Sequence, residues 1–129
     1  MSEPTARDNW LHVLRNNQRW IKKRGIDSVV LGRAYSYCGL AHYHLGDYAQ
    51  ARRYLDLSLI AHEDIGVHVF MARVLMAQGN VAEGLEHYLI ALNREPWYYG
   101  EASDAAAAHG YQLTLTTNHR RNYALRAIA

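Results

Sequence analysis

Eight histidines carry most of the potential chemistry in this 129-residue chain: His12, His42, His44, His62, His68, His87, His109 and His119. Imidazole ligates transition metals and exchanges protons near neutral pH. A metal site needs such groups at converging spacings, as in His-Glu-x-x-His on one helix face or clustered Cys/His pairs. Neither pattern occurs. His42 and His44 are two residues apart and diverge on a helix. The histidines therefore read as core or surface side chains, and no metal or other cofactor is expected. Cys38 and His42 are four apart and share a helix face, a spacing that formally permits a thiol–imidazole pair. Glu63 and Asp64 are adjacent, so they diverge and cannot act as the facing carboxylates of a glycosidase. Gly32 and Gly39 lie within a helical pattern and lack the Lys-Ser/Thr of a phosphate loop. No catalytic residue emerges, and a non-enzymatic protein is expected.

Length and composition bound the class of protein. A chain of this size suits one domain, residues 1–129, with a real core. Half the residues are hydrophobic and 20% are charged, the balance of a globular chain. Only Pro4 and Pro96 interrupt a sequence rich in Ala and Leu, which favours an all-α protein. The net charge of +2 is too small to imply nucleic acid. Arg120, Arg121, Arg126 and Tyr123, with the basic run Arg15–Arg24, would make at most a weak RNA surface, so no nucleic acid is expected. A single cysteine fits a reducing compartment. The opening Met1-Ser2-Glu3-Pro4 lacks a signal pattern, and the apolar stretch Val67–Ala77 is too short to span a bilayer. The expectation is a cytoplasmic protein that does not enter the membrane.

Helical periodicity supplies the elements. Residues 8–24 read as an amphipathic helix with Trp10, Val13, Leu14 and Ile21 along one side. Asp27 or Ser28 can cap a second helix running to about Leu45. Gly46-Asp47 reads as a turn: glycine closes one helix and the carboxylate caps the next. The partner helix covers Tyr48–Ala61, so one helical pair occupies 28–61. Glu63-Asp64 opens the next pair, with helices Ile65–Gln78 and Val81 to about Pro96 separated by Gly79-Asn80. Beyond it, Ser103 can cap an alanine-rich helix, Thr117-Asn118 can turn, and a last helix is expected over His119–Ile128. Residues 103–128 would then be a degenerate repeat or capping helices.

The two pairs are copies. Gly46 and Gly79 lie 33 residues apart. At that offset Asp47 matches Asn80, Ala51 matches Gly84, Leu55 matches Tyr88, and upstream Gly39 matches Ala72. Small residues meet small ones and apolar ones meet apolar ones. A helix–turn–helix at this period is the sequence signature of an α-solenoid. The chain resembles the tetratricopeptide repeat family through Tyr35, Cys38-Gly39, Gly46-Asp47-Tyr48, Ala51 and Leu59 in the first copy. The second copy carries Met71-Ala72, Gly79-Asn80, Tyr88, Ala91-Leu92 and Pro96. Departures are Cys38 for Leu, His42 for Tyr and Glu63 for a closing Pro. The resemblance implies a short right-handed solenoid of about six or seven antiparallel helices. It also puts Cys38 at a stacking position, where a small buried hydrophobe is the simpler reading.

The resemblance further implies a concave groove lined by the first helix of each pair. Arg33, Tyr37, Leu40 and His44 would face it from the first copy, and Phe70, Arg73 and Met76 from the second. This mixture suits an amphipathic helix or an extended apolar segment of another protein, with the two arginines orienting acidic groups. The Lys/Asn/Arg clamp by which some tetratricopeptide proteins read heat-shock chaperone tails is missing. Ser36, Leu40, Tyr43, Val69, Arg73 and Met76 stand at its positions. The expected function is a protein–protein interaction module, an adaptor or chaperone. Its size and apolar groove are also similar to bacterial type III secretion chaperones for needle or translocator subunits. A self-associating scaffold, a homo-oligomer held through Trp97, Tyr98 and Tyr99, is the other expectation.

Overall fold

The computed structural model describes residues 3–116 and 122–128. These form α1 (Ala6–Ile21), α2 (Ser28–His44), α3 (Tyr48–Ala61), α4 (Ile65–Ala77), α5 (Val81–Arg94), a 3-10 turn (Pro96–Tyr98), α6 (Tyr99–Ala108), β1 (Tyr111–Leu115) and β2 (Tyr123–Ala127). The chain is thus mostly helical with a small sheet.

Local chemistry sets the helix ends. Thr5 caps α1 reciprocally with Asp8: the Asp8 amide donates to Thr5 Oγ1 at 3.1 Å, and the Thr5 amide donates to Asp8 Oδ2 at 3.0 Å. This box starts α1 two residues before the expected Asp8, and the helix stops at Ile21 rather than Arg24. Asp27 and Asp64 cap α2 and α4 by accepting from Val29 and Gly66 amides, each at 2.8 Å. α2 and α4 end alike. Gly46 (φ 82°) and Gly79 (φ 81°) are left-handed. The Asp47 amide reaches back to His42 O at 2.9 Å, and the Asn80 amide to Leu75 O at 2.8 Å. These bonds satisfy carbonyls that a helix end leaves open.

Consecutive helices pack against one another from α1 to α6, and α2 also touches α4. The core is correspondingly serial. Leu14, Cys38 and Ala41 form a cluster with Trp10, Val13 and Ile21. Ala51, Leu55, Val67, Met71 and Leu75 form a second. The third joins Val69, Leu85, Tyr88 and Leu92 to Ala102 and Ala106 of α6.

The C-terminal expectation is corrected in two respects. α6 begins at Tyr99, directly after the 3-10 turn, so Ser103 lies inside the helix instead of capping it. Residues 111–115 and 123–127 are antiparallel strands, not helix, with Leu113 opposite Leu125. Tyr-Gln-Leu-Thr-Leu alternates with a period of two, which a pleated strand buries on one face. Tyr111, Leu113, Tyr123 and Leu125 pack that face on the third cluster. Asn93 of α5 fastens the sheet: the Tyr123 amide donates to Asn93 Oδ1 at 2.6 Å, and Asn93 Nδ2 donates to Tyr123 O at 3.3 Å. The expected Thr117-Asn118 turn, the start of the last helix at His119, and Arg120 and Arg121 lie outside the described residues. No helix among the described residues is long and apolar enough to cross a membrane.

Candidate functional site

α2 and α4 flank an open cavity of about 250 Å³. Its walls are Val29, Arg33 and Tyr37 from α2 and Val67 and Phe70 from α4. Gly32, Ser36, Ser58, His62, Asp64 and Gly66 complete the lining. Ser58 is fully buried and donates to Gly32 O at 2.7 Å, tying the end of α3 to the start of α2. Ser36 donates to Arg33 O at 2.8 Å. Both hydroxyls are therefore satisfied internally. What remains presented is aromatic and aliphatic surface, the exposed guanidinium of Arg33, the imidazole of His62 and the exposed carboxylate of Asp64, one oxygen of which caps α4. Tyr37 is 44% exposed.

Of the seven residues read from the sequence as groove-facing, Arg33, Tyr37 and Phe70 share this cavity. Leu40, Phe70 and Arg73 meet next to it, with Tyr43, in a contact too tight to admit water. Arg73 is not free for a partner. Its Nη2 donates to Glu101 Oε1 at 2.7 Å, and its Nε lies 3.1 Å from Oε2. Its guanidinium also lies 5.6 Å from the Phe70 ring centre. Burial would raise the Glu101 carboxyl, but the hydrogen bonds from Arg73 and Tyr88 outweigh it and hold it below the usual range. Tyr88 is pushed upward, by burial first and by Glu101 second. His44 points elsewhere: it stacks on Trp10 of α1, ring centres 4.1 Å apart and 8° from parallel. Met76 lies against α5, where its Sδ would be 3.0 Å from a Cβ at Gly84.

The thiol and imidazole of the Cys38–His42 spacing go separate ways. Cys38 is fully buried beneath α1, with Sγ 4.0 Å from Leu14 O. Burial pushes its thiol up to about 12, which suppresses the nucleophilic thiolate. His42 stacks on Tyr54 and lies 3.9 Å from Asp47. Burial lowers its basicity, partly opposed by that carboxylate. Among the described residues no group of three or more His, Cys, Asp or Glu side chains is placed to hold a metal.

Sequence reasoning missed two groups. Ser58 was hidden as a polar residue inside an apolar stripe, and that break in the stripe was its only signal. A second set joins four residues: His68 Nδ1 lies 2.9 Å from His87 Nδ1, His68 Nε2 lies 3.0 Å from Glu63 Oε1, and Arg94 Nη2 lies 2.9 Å from the same oxygen. His68 and His87 are 19 residues apart, a separation that converges only once the Gly79 turn folds α5 back on α4. No family model matches the chain, and no curated protein matches it.

Proposed function

We propose that the chain is a non-enzymatic tetratricopeptide-type array that holds a segment of another protein against α2 and α4. Support for the array comes from two helix pairs with the same left-handed glycine at the same 33-residue interval. The helices that follow one another in sequence also pack on one another. In a right-handed solenoid of this kind the first helices of successive pairs line the concave face. In this reading α2 and α4 are those first helices.

The observation that carries the function is the open cavity walled by Arg33, Tyr37 and Phe70. Concave, mostly apolar surface with a few polar groups is the general form of a binding site. An amphipathic helix or an extended apolar segment fits it, with one apolar anchor between Tyr37 and Phe70. Arg33 orients an acidic neighbour of that anchor. Arg73 has its carboxylate already, supplied by Glu101.

Affinity capture from native lysate tests this reading. Tyr37→Ala and Phe70→Ala should each reduce capture of a specific partner by about tenfold or more, as truncation of an aromatic anchor does. Circular dichroism should show unchanged helix content. Normal capture by both variants would remove the cavity from the function.

A second reading, self-association, has its own observation. Trp97 is 77% exposed and Tyr99 42% where α5 gives way to α6, whereas Tyr98, expected on the same surface, packs against the third core cluster. Light scattering across a concentration series decides it, and a strict monomer would sink it.

A further inference from the structure

The Glu63–His68–His87 chain takes no part in the proposed groove. It lies between α4 and α5, and His68 is 6% exposed. Proton positions follow from its geometry. A carboxylate only accepts, so His68 Nε2–H donates to Glu63. Neutral His68 then presents a bare Nδ1, and at 2.9 Å from another ring nitrogen that atom must accept a proton. His87 is therefore the donor through Nδ1–H, with its Nε2 left to take up a proton.

One added proton leaves this arrangement intact. Whether it rests on His87 Nε2 or crosses to His68 Nδ1, a single N–H still lies between the two rings, and the bond becomes charge-assisted. A second proton gives both Nδ1 atoms hydrogens. They then face each other at hydrogen-bond distance with like charge. We infer that the His68–His87 contact is an acid-operated latch: it holds α4 to α5 with zero or one added proton and opens with two.

The surrounding charges decide where it opens. His87 faces Glu83 and Glu86 of its own helix and Asp56 of α3, all of which favour its cation. Glu83 is bound to Arg52 of α3 at 2.7 Å, which weakens its pull. Burial and the neighbouring His68 act the other way and win, so His87 is held below the ordinary histidine range. Glu63 would neutralise a charged His68, but Arg94 shares that carboxylate. The sign follows. A group whose folded basicity is depressed costs nothing above its unfolded pKa and destabilises the fold as pH falls below it. The fold thus begins to lose stability below about pH 6.5, the ordinary histidine value, and the latch opens further down, where the second proton binds.

Ring-nitrogen NMR on the intact protein tests the latch together with amide hydrogen exchange. At about pH 8 His68 should be the Nε2–H tautomer and His87 the Nδ1–H tautomer. The pair should then titrate in two separated steps, as coupled groups do. Amides of α4 and α5 should exchange about tenfold faster, after correction for intrinsic rates, as the second step is crossed. His87→Gln keeps a hydrogen-bonding side chain without a charge. It should abolish that step and reduce the pH dependence of the unfolding midpoint between about pH 7 and about pH 5, leaving the part contributed by His42. Should His87→Gln fail to fold, the titration of the unmodified chain alone decides. Two independent histidines titrating near their ordinary value, with α4 and α5 protection unmoved, would overturn the inference, as would a His87→Gln variant with unchanged pH dependence.

Discussion

Two glycines show how a hydrogen in place of a methyl group sets the approach of paired helices. A Cβ at Gly39 would lie 2.7 Å from Leu55 Cγ and 3.2 Å from Ala51 O. Leu55 is fully buried, so it has nowhere to move. Gly39→Ala gains about 1 kcal/mol of helix propensity and meets an overpacking cost of about 1–3 kcal/mol. It should lower stability in a urea titration. At Gly84 the same methyl would meet Met76 Sδ at 3.0 Å, the far end of a flexible side chain. Thioether rotation absorbs that contact, while the Ala72 carbonyl at 3.3 Å stays; set against a helix-propensity gain of about 1 kcal/mol, Gly84→Ala should be within about 0.5 kcal/mol of neutral. Equal losses at the two sites would refute the distinction. Deleting Leu55 itself, as Leu55→Ala, should cost about 2–5 kcal/mol. The Arg73–Glu101 pair is half-exposed, and Glu101→Gln should cost less than about 1 kcal/mol, falling further with added salt.

The turns are the elements that a reader of the sequence could place most accurately, because their chemistry is local. Glycine followed by Asp or Asn states a helix stop and a helix start within two residues. Gly46→Ala should destabilise by about 1–2 kcal/mol, since it forces a Cβ into the left-handed region. The two caps differ, however. Asp47 accepts from the Gln50 amide at 3.3 Å, whereas Asn80 makes no side-chain cap bond. Asp47→Ala should therefore cost about 1 kcal/mol by thermal unfolding and Asn80→Ala much less. The hairpin was illegible for the opposite reason. Alternation in Tyr111–Leu115 is five residues long, and its partner strand is twelve residues further on with only Tyr123 and Leu125 as a signal. What fixes both strands is the third core cluster and Asn93, contacts that reach some twenty to thirty residues back along the chain. The cavity was half legible. Helical register singles out Arg33, Tyr37 and Phe70, but Glu101 reaching Arg73, and Trp10 covering His44, depend on where α6 and α1 dock.

Taken whole, the molecule is a series of neighbours: among the described residues three core clusters follow the chain, and α1 joins only the first of them. Stability in such an arrangement is a sum of local interfaces, so the ends open at less cost than the middle. Cys38 makes that difference visible as time. It is the chain's single thiol, fully buried beneath α1 with its acidity suppressed. A disulfide reagent can reach it only after α1 lifts, which turns the modification half-life into a clock for that one event. Leu14→Ala should shorten the half-life far more than it lowers the midpoint of global unfolding. Leu92→Ala, in the third cluster, should lower the midpoint and leave the clock almost unchanged. Parallel changes in both variants would mean that the chain opens only as a single body.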